Sequence, residues 1–267
     1  MKIKMKKNII EEENIYRSLK FKIPNESKDY YKSSEFVVTQ ISEILNERKK
    51  LNDNKIILNT NLKLGLPLEN INKIAGPMIE AWACEVFSGV RDDSFNKYSL
   101  INVEAQERLG MADVILQFKK NNKIITGNID VKATSDDIPK SGKSPNITSF
   151  SRIRTAYVID PDFIFIILSL KHKVYVKRNK TTGLMDGIME IVGHNAYDLK
   201  YLSDEDISYN PALGTGQIQV KDIHYVTKKI RTTWEMCQLL DMKYLHSTKR
   251  NIDDFIAEAR RNKWIKE

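Results

Sequence analysis

Hydrophobic and polar residues alternate with a period of two between Asp113 and Lys132. Val114, Leu116, Phe118, Ile125, Ile129 and Val131 fall on one face. Asp113, Gln117, Lys119, Thr126, Asn128, Asp130 and Lys132 fall on the other, with Ile115 and Ile124 as exceptions. This period predicts two half-buried strands, Asp113–Lys120 and Lys123–Lys132. Asn121-Asn122 joins them, and asparagine tolerates the positive φ of a two-residue hairpin loop. Such a loop fixes the register: Lys120 faces Lys123, Phe118 faces Ile125, Val114 faces Ile129 and, one step further, Asp113 faces Asp130. A slip of one residue would turn the carboxylates into the core.

Elsewhere the pattern changes period. Phe36, Val37, Ile41, Ile44 and Leu45 form a helical stripe over Ser34–Lys50. Gly76-Pro77 is read as the start of a second helix, Met78–Phe87, apolar nearly all round and therefore buried. A polar loop, Ala133–Asn146, leads to a short helix, Ile147–Tyr157, which ends at Asp160-Pro161. Phe163–Leu170 is apolar on both faces, as in the centre of a covered sheet, and Lys173–Lys177 reads as its neighbour. Asn210–Gly216 is a second polar loop, Gln217–Val226 alternates again, and the chain from Trp234 onward is helical. Strands and helices in this order predict an α/β, or mixed α+β, fold with a central mixed sheet flanked by helices. One domain is expected over residues 21–267, with residues 1–20 as a loosely ordered N-terminal extension.

Composition narrows the classes. With 41% hydrophobic and 29% charged residues in 267, the chain is an ordinary globular protein with a substantial core. No apolar run approaches the length that spans a bilayer, and the basic N-terminus is followed by Glu11-Glu12-Glu13 rather than a signal-peptide core. The expectation is a cytoplasmic protein with no membrane contact. Cys84 and Cys237 are too few and too far apart for a zinc ribbon or a disulfide scaffold, and both are read as small buried hydrophobes. The four histidines have no paired metal-ligand spacing. A net charge of +8 favours a polyanionic partner, with basic groups gathered at Lys140–Arg154, Lys171–Lys180, Lys228–Arg231 and Lys249–Lys266.

The predicted hairpin also concentrates the candidate chemistry. Opposed strand residues lie roughly 4.5–5.5 Å apart at Cβ, so Asp113 and Asp130 would repel unless a divalent cation joined them. Lys132, two residues beyond Asp130, projects from the same face. The alternative is a solvated strand face with incidental charges. Glu80 has two readings: a first-turn acid favoured by the helix dipole, or a supporting acid that helps bind the cation or orient Lys132.

Asp113 followed by Asp130-Val131-Lys132 at the end of a hairpin resembles the PD-(D/E)xK nuclease core, with Ala112 in the place of the name-giving proline. The stretches NTNLKLGLPLENINKIAGPMIEAWA, INVEAQERLG and GKSPNITSFSRIRTAYV resemble type II restriction endonucleases of the HincII/HpaI kind from near Phe21 to the C-terminus. The resemblance implies a homodimeric, Mg²⁺-dependent enzyme that cuts double-stranded DNA at a short palindrome to blunt ends, at the centre of GTTAAC or the broader GTYRAC. It also implies a partner methyltransferase that protects host DNA. It assigns Asp113, Asp130 and the Val131 carbonyl to the metal, and Lys132 to the attacking water or the scissile phosphate. Lys143 stands where a side chain wedges into the base stack in the HincII type, with a different chemistry here. Asn146 is the main candidate for reading adenine, with Asn210 and Gln217 in base-contacting territory and Arg152 and Arg154 as phosphate grips. For Asn146 there is also a simpler reading, a helix-start signal. The glycines of Gly214-Thr215-Gly216 are read as permitting close approach of the backbone to DNA. Two other classes fit less well: a repair or junction-resolving nuclease on the same fold, and a DNA-binding protein without catalysis.

Overall fold

In a computed structural model, residues 2–93, 97–106, 110–212 and 214–266 are described, with residues 2–8 as backbone only. The element order is α1 (Lys2–Ser18), α2 (Tyr30–Lys50), β1 (Lys55–Leu58), α3 (Leu68–Asp92), β2 (Leu100–Ala105), β3 (Val114–Lys120), β4 (Lys123–Ser135), β5 (Asn146–Ser149), α4 (Phe150–Ile159), β6 (Ile164–Arg178), β7 (Met185–Asp198), β8 (Ile207–Asn210), β9 (Gln217–Val220), α5 (Thr233–Leu245) and α6 (Ile252–Arg261). The residues gather into two compact units. One holds residues 31–143 and 164–199; the other holds residues 1–30, 144–163 and 200–267.

The first unit is built on a six-stranded mixed sheet, in the order β1-β7-β6-β4-β3-β2. Only β4 and β6 run parallel among its paired strands. The doubly apolar run expected at the centre is there: Phe165 to Leu168 and Leu170 are fully buried. The basic stretch Lys173–Lys177 is the same strand continued, not a neighbour. No turn former separates the two stretches, so the chain simply runs on from the covered sheet toward solvent.

The helix α2 packs on this sheet through Phe36, edge-on to Phe118 at 5.8 Å between ring centroids, and through Val37, which fills the space a side chain at Gly127 would need. The α3 helix corrects the expectation at Gly76-Pro77. It begins after Pro67 and runs through Pro77 for 25 residues. An interior proline removes one helical hydrogen bond and is unfavourable by about 3 kcal/mol. Ile71 and Ala75 before it, and Ile79, Ala83, Val86, Phe87 and Val90 after it, form one continuous buried stripe that outweighs the loss. Burial is also confined to that stripe: Ala81 is exposed, and Trp82 and Cys84 are half-buried.

The second unit carries a three-stranded sheet, β5-β9-β8, and helices α1, α4, α5 and α6. Asn146–Ser149 pairs with β9 as a strand, and the helix starts only at Phe150, not at Ile147. The predicted C-terminal helix is two helices, each capped by its own side chain, Thr232 in a capping box and Asn251. The expected loose extension is helical and partly interior. Tyr16 is buried and donates a hydrogen bond to Asp241 Oδ2 at 2.9 Å.

Arg154 forms the centre of this unit. It is fully buried, its Nε and Nη2 donate to the two oxygens of Asp241 at 2.9 and 3.1 Å, and the rings of Phe21, Trp234 and Trp264 surround the guanidinium. Arg154 therefore has no access to a phosphate, and its expected role as a grip does not stand. Gly216 corrects a second reading. Its φ is +90°, and a Cβ there would lie 2.2 Å from the Tyr209 ring. The close approach it permits is to Tyr209, whose hydroxyl donates to the Thr215 carbonyl.

Candidate active site

The hairpin register is as expected from Lys120↔Lys123 through Phe118↔Ile125 to Val114↔Ile129. Asn121 and Asn122 have φ of 49° and 61°, which matches the right-handed twist of the strands. The ladder stops one step short of an Asp113–Asp130 pair. Asp113 donates its amide to the Ile129 carbonyl at 2.9 Å, and its carboxylate Oδ2 accepts from the Val131 amide at 2.6 Å. Asp113 is thus fastened by its side chain to the backbone of the strand that bears Asp130 and Lys132.

Asp130 lies inside the sheet because β4 is flanked on both sides, by β3 and by β6, where its partner is Ile167. It is only 4% exposed. Lys132 Nζ donates to Asp130 Oδ1 at 2.8 Å, while Oδ2 is buried with no partner among the described residues. An orphaned carboxylate oxygen in the interior is unfavourable by a few kcal/mol and calls for a cation or a proton. Burial pushes the Asp130 carboxyl up to about 7; Lys132 opposes this, and Asp113 and Glu80 add to it. Glu80 sits at mid-helix in α3, not in a first turn. Burial raises its carboxyl, Asp113 raises it further, and Lys132 opposes both. Three acids and one lysine therefore share one electrostatic neighbourhood.

A hard cation fits this donor set: carboxylate oxygens, one of them buried and unsatisfied, with a lysine on the same strand. Among the described residues, no group of three or more His, Cys, Asp or Glu converges tightly enough to hold a metal ion. The candidate set here is two carboxylates and the Val131 carbonyl.

The expected DNA-contacting residues divide. In the three-stranded sheet, Asn146 pairs with Gln219, and Gln217 pairs with both Ser149 and Asn210. Ile218 and Val220 point into the core of that unit, so Gln217 and Gln219 share the outer face with Asn146 and Asn210. Gln219 was not among the residues expected from sequence. Its Nε2 donates to Asn146 Oδ1 at 3.0 Å and to the Ser144 carbonyl at 3.0 Å. The signal was present in the Gln-x-Gln alternation of β9. Asn210 also accepts from the Ala212 amide, a turn-forming contact. Lys143 and Arg152 are exposed.

The six-stranded mixed sheet with its flanking helices is a restriction-endonuclease-like fold. A family model described as type II restriction endonuclease HpaI matches residues 17–263. The type II restriction enzyme HpaI of Haemophilus parainfluenzae is 70% identical over 252 residues, which are 94% of this chain and 99% of that protein. The chain belongs to the HpaI family of type II restriction endonucleases, and it is a site-specific deoxyribonuclease that acts on DNA. Enzymes of this type generally use a divalent metal. Among the described residues, no helix is long and apolar enough to cross a membrane.

Proposed function

We propose that this enzyme hydrolyses double-stranded DNA at GTTAAC, cutting at the centre to leave blunt ends. It does so as a homodimer whose two-fold symmetry matches the palindrome. The cofactor is Mg²⁺, held by Asp113, Asp130 and the Val131 carbonyl. Bound there, the ion neutralises charge on the phosphate and makes a water easier to deprotonate. The observation that carries this reading is Asp130, buried with one oxygen engaged by Lys132 and the other unsatisfied.

The chain's own residues supply the rest. Asp113 is held by the Val131 amide and cannot swing away from Asp130-Val131-Lys132. Lys132 is part-exposed, at 23% of its side chain. Its ammonium is therefore able to leave Asp130 for an entering phosphate oxygen, or to orient the attacking water. Glu80 is a supporting acid that helps orient Lys132. Asn146, Asn210 and Gln217 read base edges from the polar face of the small sheet, and Lys143 and Arg152 meet the backbone. In the cell, a methyltransferase of the same specificity protects host DNA in the cytoplasm.

Run-off sequencing of a plasmid digested in Mg²⁺, with a chelator control, tests this reading. The expected result is discrete ends at the centre of GTTAAC and no cutting in chelator. Staggered ends, another sequence, or cutting in chelator would overturn it.

A further inference from the structure

Five cations surround one concave surface far in sequence from the catalytic hairpin. Lys20 and Lys22 come from the segment after α1; Arg260, Lys263 and Lys266 come from the last turn of α6 and the segment after it. The surface encloses about 830 Å³, and no acidic residue lines it among the described residues. All five side chains are exposed, and none has an ion-pair partner among the described residues.

The backbone beneath them is fixed. Lys22 donates its amide to the Trp264 carbonyl at 2.7 Å, and Lys266 donates to the Lys20 carbonyl at 2.7 Å, so the two segments pair at Phe21 and Ile265. Trp264 is fully buried and anchors the C-terminal segment. The cations are held as a ridge, not scattered on loose ends.

Lys263 is the most telling member. The α6 helix ends in a Schellman motif: the Lys263 amide bonds the Arg260 carbonyl at 3.1 Å, and the Trp264 amide bonds the Ala259 carbonyl at 2.8 Å. The residue between helix and Trp264 must have positive φ, and glycine is the usual occupant. Here it is lysine, with φ of 57°. A side chain is retained where its backbone conformation is unfavourable by about 1 kcal/mol, and that side chain is a cation on the groove.

We propose that this groove binds the phosphate backbone of duplex DNA as an accessory, sequence-independent contact. Exposed lysines on a fixed ridge suit a line of phosphates and supply no base-edge specificity. A site for one small anion would need buried donors converging on a point, and none of these five side chains is buried.

The test is the salt dependence of binding to a noncognate duplex in chelator, where no cleavage occurs. Removing one cation from the phosphate backbone should flatten the plot of log affinity against log salt by about 0.9. Lys263→Gly should flatten it by about that much while its melting temperature stays equal or rises, because glycine suits the site. Combining it with Lys20→Gln, Lys22→Gln and Lys266→Gln should flatten the slope by about 3 to 4. Slopes equal to that of the parent in both variants would overturn the proposal. Because the readout needs neither magnesium nor GTTAAC, this outcome is separable from failure of the cleavage specificity.

Discussion

Asp130 and Asp241 are both buried aspartates on regular elements, and each faces a basic side chain, yet their surroundings differ in kind. Both oxygens of Asp241 are taken, by two nitrogens of Arg154 and by the Tyr16 hydroxyl. Asp130 has Lys132 on one oxygen and, among the described residues, no partner on the other, with two further acids acting on it. A buried carboxylate with both oxygens engaged is a structural joint. One left incomplete is unfavourable, and that is what supports the proposed cation site at Asp130. The contrast lies between the two carboxylates themselves, since Arg154 Nη1 beside Asp241 is also buried without a partner among the described residues.

The contrast can be broken most severely at Asp130 itself. Asp130→Asn removes a carboxylate from the proposed cation site and should reduce cleavage by on the order of 10⁴-fold, about 5 kcal/mol of lost transition-state stabilisation. Its melting temperature should stay unchanged or rise, since an unanswered charge is removed. Cleavage within tenfold of the parent, measured under single turnover, would remove Asp130 from the centre. At the other aspartate the sign reverses. Asp241→Ala leaves Arg154 buried and unpaired, and urea unfolding should register a loss of about 3–5 kcal/mol. Tyr16→Phe removes one hydrogen bond to the same carboxylate and should lower stability by about 1–3 kcal/mol. An unchanged midpoint for that variant would mean that the Tyr16 hydroxyl contributes nothing to holding Asp241.

A pH dependence in chelator tests the same contrast without a change at Asp241. The Asp130 carboxyl rises from 3.8 in the unfolded chain to about 7 in the folded protein. The folded state therefore holds more protons between those values. Its contribution to stability is complete below the unfolded value and is lost as pH rises through the folded one. Stability should fall over that interval in the parent and fall less steeply in Asp130→Asn. Equal slopes would contradict the burial argument.

The two regions were not equally legible in the sequence. The Asp113–Lys132 hairpin was, because a two-residue loop and period-two alternation fix a register locally, down to Val114↔Ile129. Only its last step departed, where Asp113 turned its side chain to the Val131 amide instead of extending the ladder. The second unit was far less readable, because its determinants are distant. Arg154 looks like a phosphate grip until Asp241, 87 positions away, is beside it, and Tyr16 finds the same aspartate across 225 positions. Asn146 follows a proline like a helix start, but pairing with β9, some 73 positions on, makes it a strand. Pro77 failed as a boundary marker because the buried stripe of α3 continues on both sides of it.

Calorimetric titration of the DNA-bound protein with Ca²⁺, used as a non-cleaving stand-in for the cofactor, tests most directly whether Asp130 is held incomplete in order to bind a cation. Cation binding is expected in the parent and in Tyr16→Phe, and its loss is expected in Asp130→Asn. Undiminished binding by Asp130→Asn would contradict that role.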